Sequence, residues 1–168
     1  MTTIEDSKKR QLHQFIKNEL KDIVEKDPRL IQPQMTEYTF QAIIWDHICR
    51  QVKNDWTLSI EDFIPSTHLK ADVVIYKCKQ DGKLDSRYGA VAIEVKPNGM
   101  IKGIQKDIKK LIKYTCQLDS PVNFGVMIFM TRQNQSEDRV NDYIGKYEDH
   151  KKICIIHIKP PKTLSNCK

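Results

Sequence analysis

Apolar residues recur every three or four positions in several segments, which is the spacing of amphipathic helices. The three long segments with this pattern are residues 3–26, 36–52 and 101–115. Asp27-Pro28 is expected to end the first helix, and Thr36 is predicted to cap the second. A fourth, shorter helix is predicted over residues 137–147.

Other segments have the patterns of β-strands. From Trp56 to Glu61, apolar and polar residues alternate singly, as in a strand with one buried face. Apolar runs predict four more strands, of which the first two are nearly continuous and are expected to be covered on both faces. These runs are residues 71–76, 89–96, 122–130 and 153–158. Residues 80–83 are rich in turn formers and predict a hairpin connection, and Pro97-Asn98-Gly99 is expected to stop the third strand.

The order of these elements is α-α-β-β-β-α-β-α-β. Three strands in a row, followed by a helical crossover into a fourth, predict an α/β fold with a mixed β-sheet flanked by helices. No internal repeat or long linker divides the chain, so residues 1–168 are predicted to form a single domain. Its core is expected over about residues 36–131. The helix over 3–26 precedes this core, and the last helix and strand, 137–159, follow it.

Composition narrows the class of protein. Hydrophobic residues make up 39% of the chain and charged residues 30%, which excludes a disordered or a membrane-embedded protein. The N-terminus lacks the apolar segment of a signal peptide, so a cytoplasmic protein without a membrane partner is expected. The five cysteines are scattered, and their spacing argues against a disulfide framework or a structural zinc site.

The chain is basic, with 28 Lys and Arg residues against 22 Asp and Glu residues and a formal net charge of +6. Such a charge fits a nucleic-acid partner, because each neutralised phosphate releases counterions. The helix over 101–115 carries lysines opposite its apolar side, and they are predicted to contact phosphates; an ordinary solvated face is the alternative. These lysines are Lys102, Lys106, Lys109, Lys110 and Lys113.

Charged residues interrupt two of the apolar strands. Glu94 and Lys96 project from one face of the third predicted strand, because side chains alternate across a strand. Asp72 lies in the preceding strand, within an apolar run, where an uncompensated charge is costly. On adjacent strands the two carboxylates and the ammonium group can compensate one another, and a divalent cation would complete the site. Two alternatives remain: a solvated face carrying Glu-x-Lys by chance, and a buried Asp72–Lys96 ion pair that needs no metal.

This ordered set of residues resembles the PD-(D/E)xK nuclease superfamily, which has the restriction-endonuclease-like fold. Asp72 on the second strand and Glu94-Val95-Lys96 on the third match its motif, with Ala71 in place of the proline. The element order over residues 36–131 matches the αβββαβ core of that superfamily. Glu37, on the helix before the strands, and Gln105, on the helix after them, fit positions where these families often carry an acidic residue and a glutamine.

The resemblance implies Mg²⁺-dependent hydrolysis of phosphodiester bonds, with Mn²⁺ as an alternative metal and DNA favoured over RNA. Asp72, Glu94, the Val95 backbone carbonyl and Glu37 are the implied metal ligands. Lys96 would orient or deprotonate the attacking water, and Gln105 would orient the site. A helix-dipole role for Glu37 and a packing role for Gln105 are the alternatives.

Enzymes of this kind often work as homodimers or within larger complexes. A rival hypothesis is a catalytically silent domain of the same fold that binds nucleic acid or a protein partner. A plain interaction domain, with Asp72 and Glu94 facing apart, is a third hypothesis.

Overall fold

The computed structural model describes residues 14–31, 35–51, 56–64, 69–76, 90–118, 120–131, 136–147 and 150–159. The first helical segment is π-helical over Phe15–Leu20 and continues as helix α1 over Lys21–Lys26, followed by a 3₁₀ turn at Pro28–Ile31. The other elements, in chain order, are α2 (Glu37–Gln51), β1 (Thr57–Ile64), β2 (Leu69–Tyr76), β3 (Ala90–Gly99), α3 (Ile101–Cys116), β4 (Val122–Thr131), α4 (Glu137–Gly145) and β5 (Ile153–Ile158).

The five strands form one mixed sheet in the order β1-β2-β3-β4-β5. β1, β2 and β3 are antiparallel neighbours, whereas β3, β4 and β5 run parallel. Antiparallel strands can be joined by short connections. Parallel strands need a longer crossover, which contains α3 between β3 and β4 and α4 between β4 and β5. The predicted α/β class and the mixed sheet flanked by helices are confirmed.

Local signals explain where the first two helices end and begin. α1 ends at Lys26, immediately before Asp27-Pro28, as predicted. The side-chain oxygen of Thr36 accepts a hydrogen bond from the backbone N–H of Thr39 at 3.2 Å, so Thr36 caps α2 as predicted. The π-helical turn at Phe15–Leu20 was not predicted. The part of the first predicted helix before residue 14 and the predicted turn at 80–83 lie outside the described residues.

The sheet buries both of its faces. Side chains of α1 and α2, such as Val24 and Ile44, pack on the face that carries Val73 and Ile93. α3 covers the opposite face, together with part of α4. That second layer includes Val74, Ala92, Ile104, Ile108, Leu111, Tyr114, Met127 and Val140. Burial on both sides explains why the inner strands read as continuous apolar runs.

The third strand is longer than predicted. Pro97-Asn98-Gly99 was expected to stop it, but β3 runs through Gly99, which pairs with Thr131 of β4. The pairing between β3 and β4 shifts register between Lys96 and Gly99. Pro97 falls inside this irregularity, where its missing N–H group breaks no regular ladder.

α3 lies close to the sheet at Gly125 of β4. A Cβ atom at this position would lie 2.9 Å from Cδ1 of Ile153 and 3.1 Å from Cβ of Leu111. A larger residue at this position would displace the side chains of Ile153 and Leu111, so glycine favours the close approach of helix and strand. None of the described helices is long and apolar enough to cross a membrane.

Candidate functional site

Asp72 and Glu94 lie on neighbouring antiparallel strands and face the same side of the sheet. Val73 pairs with Ile93, and the side chains of both face α1 and α2. Asp72, just before Val73, and Glu94, just after Ile93, therefore project from the other face of the sheet, which α3 covers. The regular β2–β3 pairing ends at Val73 and Ile93 in the described strands. Beyond it, Oδ2 of Asp72 accepts a hydrogen bond from the backbone N–H of Val95 at 2.8 Å. The candidate site lies where β2 and β3 separate.

Glu94 is a buried acidic residue, with only 2% of its surface exposed. The Nζ atom of Lys110, on α3, lies 2.8 Å from each of its carboxylate oxygens. Lys110 donates a hydrogen bond to Oε2, whereas the buried Oε1 accepts no properly oriented hydrogen bond from the residues that the structure describes. Glu94 therefore has one cationic partner, whose ammonium group lies close to both of its carboxylate oxygens.

Burial and mutual repulsion disfavour the ionised forms of both carboxyl groups. Burial raises the pKa of Glu94 to about 8, and the negative charge of Asp72 adds to this, although Lys110 opposes it. Burial also raises the pKa of Asp72, against the hydrogen bond from Val95 and the charge of Lys110. Such a carboxyl pair favours protonation, or a bound cation, over two free charges.

Lys96 pairs with two other carboxylates. Its Nζ atom lies 3.5 Å from Oε2 of Glu37, in the first turn of α2, and 3.6 Å from Oδ2 of Asp107 on α3. Burial lowers the pKa of Lys96, but Asp107 and Glu37 outweigh it and raise the pKa overall, so the side chain is an ammonium group. The ion pair between Asp72 and Lys96, which the sequence left open, is not the one formed: Lys96 pairs with Glu37 and Asp107 instead.

One face of α3 supplies the helical half of this site. Gly103, Asp107, Lys110 and Tyr114 recur every three or four residues and therefore share a face, which we call the site stripe. A Cβ atom at Gly103 would lie 3.8 Å from Cδ of Lys96. The Tyr114 hydroxyl donates a hydrogen bond to the Lys70 carbonyl, and Nζ of Lys110 lies 5.9 Å from the Tyr114 ring centroid.

Sequence reasoning missed Asp107 and Tyr114. A usable signal was present: Asp107 is the single acidic residue of the predicted helix 101–115, and it stands one helical turn before Lys110. That spacing alone places a carboxylate and an ammonium group on the same helix face.

Gln105 is not brought to this group of residues. It is half-buried on α3, two positions from Asp107, which corresponds to about 200° around the helix axis. Glu37, by contrast, reaches the site through Lys96, although its recorded contact is with that lysine rather than with Asp72 or Glu94.

Four of the five lysines predicted to bind phosphate are exposed along one face of α3, next to the site stripe. They are Lys102, Lys106, Lys109 and Lys113, and we call them the lysine stripe. Lys110 differs, because its side chain is only 24% exposed and its ammonium group is bound to Glu94. The assignment of Lys110 to an exposed phosphate-binding face is therefore corrected.

A second charged cluster connects the end of α1 to α2. The buried Asp27 accepts hydrogen bonds from Arg29, and the Nε2 atom of His47 lies 2.6 Å from Oδ2 of Asp27. Hydrogen bonds from Arg29 hold the pKa of Asp27 well below its usual range, although burial opposes them. On the far side of the sheet, His157 stacks on Phe129 and contacts the Thr131 hydroxyl. Both histidines thus take part in packing and hydrogen bonding.

The described residues contain no group of three or more His, Cys, Asp or Glu side chains arranged to hold a metal ion. Two carboxylates nevertheless fit one: Asp72 and Glu94 face each other across the strands, and no described residue donates a properly oriented hydrogen bond to the buried Oε1 of Glu94. Carboxylate oxygens are the ligands that Mg²⁺ prefers, with coordination completed by water.

No protein-family model, curated protein or solved structure matches this chain. Functional inference therefore depends on the geometry of the site.

Proposed function

We propose that the protein is a metal-dependent nuclease that hydrolyses phosphodiester bonds, with DNA favoured over RNA as its substrate. One observation carries the proposal. Two carboxyl groups with raised pKa values face each other on neighbouring strands, and a lysine follows two residues after the second of them. This arrangement fits the PD-(D/E)xK resemblance of the sequence.

The carboxyl pair favours a cation as its ligand. Burying a carboxylate is unfavourable unless an opposite charge or hydrogen bonds compensate it. Lys110 compensates Glu94, whereas Asp72 has one backbone N–H group as its hydrogen-bond donor. Asp72 and Glu94 would hold Mg²⁺ or Mn²⁺, and the Val95 carbonyl and Glu37 are further candidate ligands. A bound divalent cation would supply an activated water and stabilise charge on the attacked phosphate.

Lys96 has the charge state of an electrostatic catalyst. Its pKa is raised because Asp107 and Glu37 lie beside it, so the ammonium form persists at neutral pH. A lysine in this state is suited to orienting the attacking water and neutralising the developing phosphate charge. It is less suited to removing a proton, which requires the neutral amine. Of the two roles that the resemblance implies for Lys96, we therefore favour orientation.

The lysine stripe offers a surface for the nucleic-acid backbone. Its four exposed ammonium groups lie on the helix that also supplies Asp107 and Lys110 to the site. Lysines placed along a helix neutralise phosphates without reading sequence. Together with the formal net charge of +6, they favour a polyanionic substrate over a small neutral one.

A catalytically silent domain of the same fold, which binds nucleic acid or a protein, is the second candidate. The ion pair between Lys110 and Glu94 favours it, since it compensates the buried carboxylate without a metal.

Cleavage assays separate the two candidates. The wild-type protein should cut at least one of supercoiled, linear, branched or single-stranded DNA with Mg²⁺ or Mn²⁺, and EDTA should stop it. Lys96→Ala should lower cleavage by about 10²- to 10³-fold while metal and DNA still bind, the usual size for loss of one stabilising group. Lys146→Ala, which removes an exposed lysine at the end of α4, is the matched control. If no nucleic acid is cut and Asp72→Asn binds DNA like the wild type, the silent domain is the better description.

A further inference from the structure

We propose that Lys110 is the resident counter-cation of Glu94 when this residue is ionised, and that a divalent cation displaces it from the carboxylate on binding. The inference rests on the proposed metal-dependent function and adds to it a residue that controls metal entry.

The ammonium group of Lys110 covers the carboxylate that the metal needs. Its Nζ atom lies 2.8 Å from both oxygens of Glu94, so it stands in front of the carboxylate rather than beside one oxygen. A Mg²⁺ ion binds a carboxylate oxygen at about 2.0–2.1 Å, which places it in the same space. Two cations cannot share that position, because Glu94 is buried and little water screens their repulsion.

Lys110 has a route out of the site, whereas Glu94 does not. The side chain of Lys110 is 24% exposed, and that of Glu94 is 3% exposed. A flexible four-carbon stem allows the ammonium group to swing towards solvent without movement of α3. On that side it would join the lysine stripe, where a substrate phosphate is expected. Lys96 need not move, since Glu37 and Asp107 hold it separately.

Metal affinity is then set by competition between the two cations. Removal of the ammonium group should lower the dissociation constant for Mg²⁺ by about tenfold or more, given the usual strength of a hydrogen bond to a charged group. Loss of an exposed lysine elsewhere should leave it nearly unchanged, because salt screens distant charges. Lys110→Gln is the test variant and Lys146→Gln the matched control.

Two measurements test the proposal with Mg²⁺ alone as the probe. The first is calorimetric titration of the wild type and both variants at pH 8.5, where fewer protons compete for the carboxylates. The second is acetylation of lysines in the wild-type protein, read by mass spectrometry with and without saturating Mg²⁺. Acetylation of Lys110 should rise several-fold when the metal displaces it, whereas the exposed Lys109 should react equally in both states. This second measurement needs no variant, so it decides the question even if Lys110→Gln does not fold.

The outcomes separate this inference from the proposed nuclease activity. Unchanged acetylation of Lys110 at saturating Mg²⁺, or equal affinities in wild type and Lys110→Gln, would overturn the inference while metal-dependent cleavage still supported the function. Tighter Mg²⁺ binding by Lys110→Gln, with no cleavage by the wild type, would support the inference and refute the nuclease. If neither protein binds Mg²⁺, both proposals are wrong.

Discussion

Replacing Glu94 with glutamine removes a buried ionisable group and preserves its shape. The carboxyl group has a folded-state pKa of about 8 against an ordinary value of 4.5. The folded protein therefore holds a proton at neutral pH that the unfolded chain releases above about pH 4.5. Because the folded-state pKa is the higher one, the contribution of this proton to the free energy of unfolding is fully present below pH 4.5. It is lost as pH rises to about 8.

The size of this loss follows from the two pKa values. One pKa unit corresponds to about 1.4 kcal/mol, so the difference between 4.5 and about 8 corresponds to about 5 kcal/mol. That is a large part of the stability of a typical domain, about 5–15 kcal/mol. Between pH 5 and 9, the free energy of unfolding should fall by several kcal/mol in the wild type. The free energy of unfolding of Glu94→Gln should change much less over this range, so this variant should be the more stable protein at pH 9.

Urea unfolding in EDTA, followed through Trp45 and Trp56 fluorescence, measures the two curves. Asp72 is present in both proteins, so the difference between the curves reports mainly on Glu94. Glu25→Gln, which changes an exposed carboxyl group on α1, is the control and should follow the wild type. If Glu94→Gln runs parallel to the wild type from pH 5 to 9, Glu94 is not held in its protonated form and the electrostatic account of the site is wrong.

Three further predictions concern other parts of the fold. Asp27→Asn should lower the free energy of unfolding by about 1–3 kcal/mol at pH 7. Because folding lowers the pKa of Asp27, the stability difference between wild type and variant should shrink as pH falls below 3.8, and a constant difference in urea titrations would contradict this. Gly125→Ala should lower the free energy of unfolding by about 1–3 kcal/mol, because its Cβ would press on Ile153 and Leu111. Gly145→Ala, with open space around it, should change this free energy by less than about 1 kcal/mol, and equal effects of the two substitutions in urea unfolding would refute the close-approach argument. The double change of Lys106 and Lys109 to Ala should weaken DNA binding on every sequence and reduce the slope of log K against log salt by about two, as measured by fluorescence anisotropy. An unchanged slope would show that the lysine stripe does not contact the DNA backbone.

Much of the fold could be predicted from the sequence because its inner strands are buried on both faces. The apolar run 122–130 falls one residue short of the inner strand β4, and the run 153–158 coincides with β5, at the edge of the described sheet. Such runs can be recognised without tertiary information, since nearly every position is apolar. The cap at Thr36 and the break at Pro28 depend only on neighbouring residues, so they were predictable as well. The predicted end of the third strand at Pro97 was wrong, because the effect of this proline depends on how β3 pairs with β4, which the local sequence does not reveal.

The site was only partly predictable for a related reason. Asp72, Glu94 and Lys96 stand out because they interrupt apolar strands. Lys110 is one of five similar lysines on α3, and nothing in its immediate sequence separates it from the exposed ones. The rotation of α3 on the sheet decides which lysine faces Glu94, and that rotation depends on contacts such as the close approach at Gly125. The partner of a charged strand residue is thus a tertiary property, whereas its presence in the strand is a local one.

The charges of the whole cluster connect these observations. Two ammonium groups, Lys96 and Lys110, face four carboxyl groups, which are Glu37, Asp72, Glu94 and Asp107. With all six groups ionised, two negative charges remain uncompensated, and they equal the charge of one divalent cation. Without a metal, the raised pKa values of Asp72 and Glu94 reduce this deficit through protonation. A divalent cation would therefore neutralise the same charges as bound protons do, and on the proposed mechanism its entry would release protons as well as Lys110.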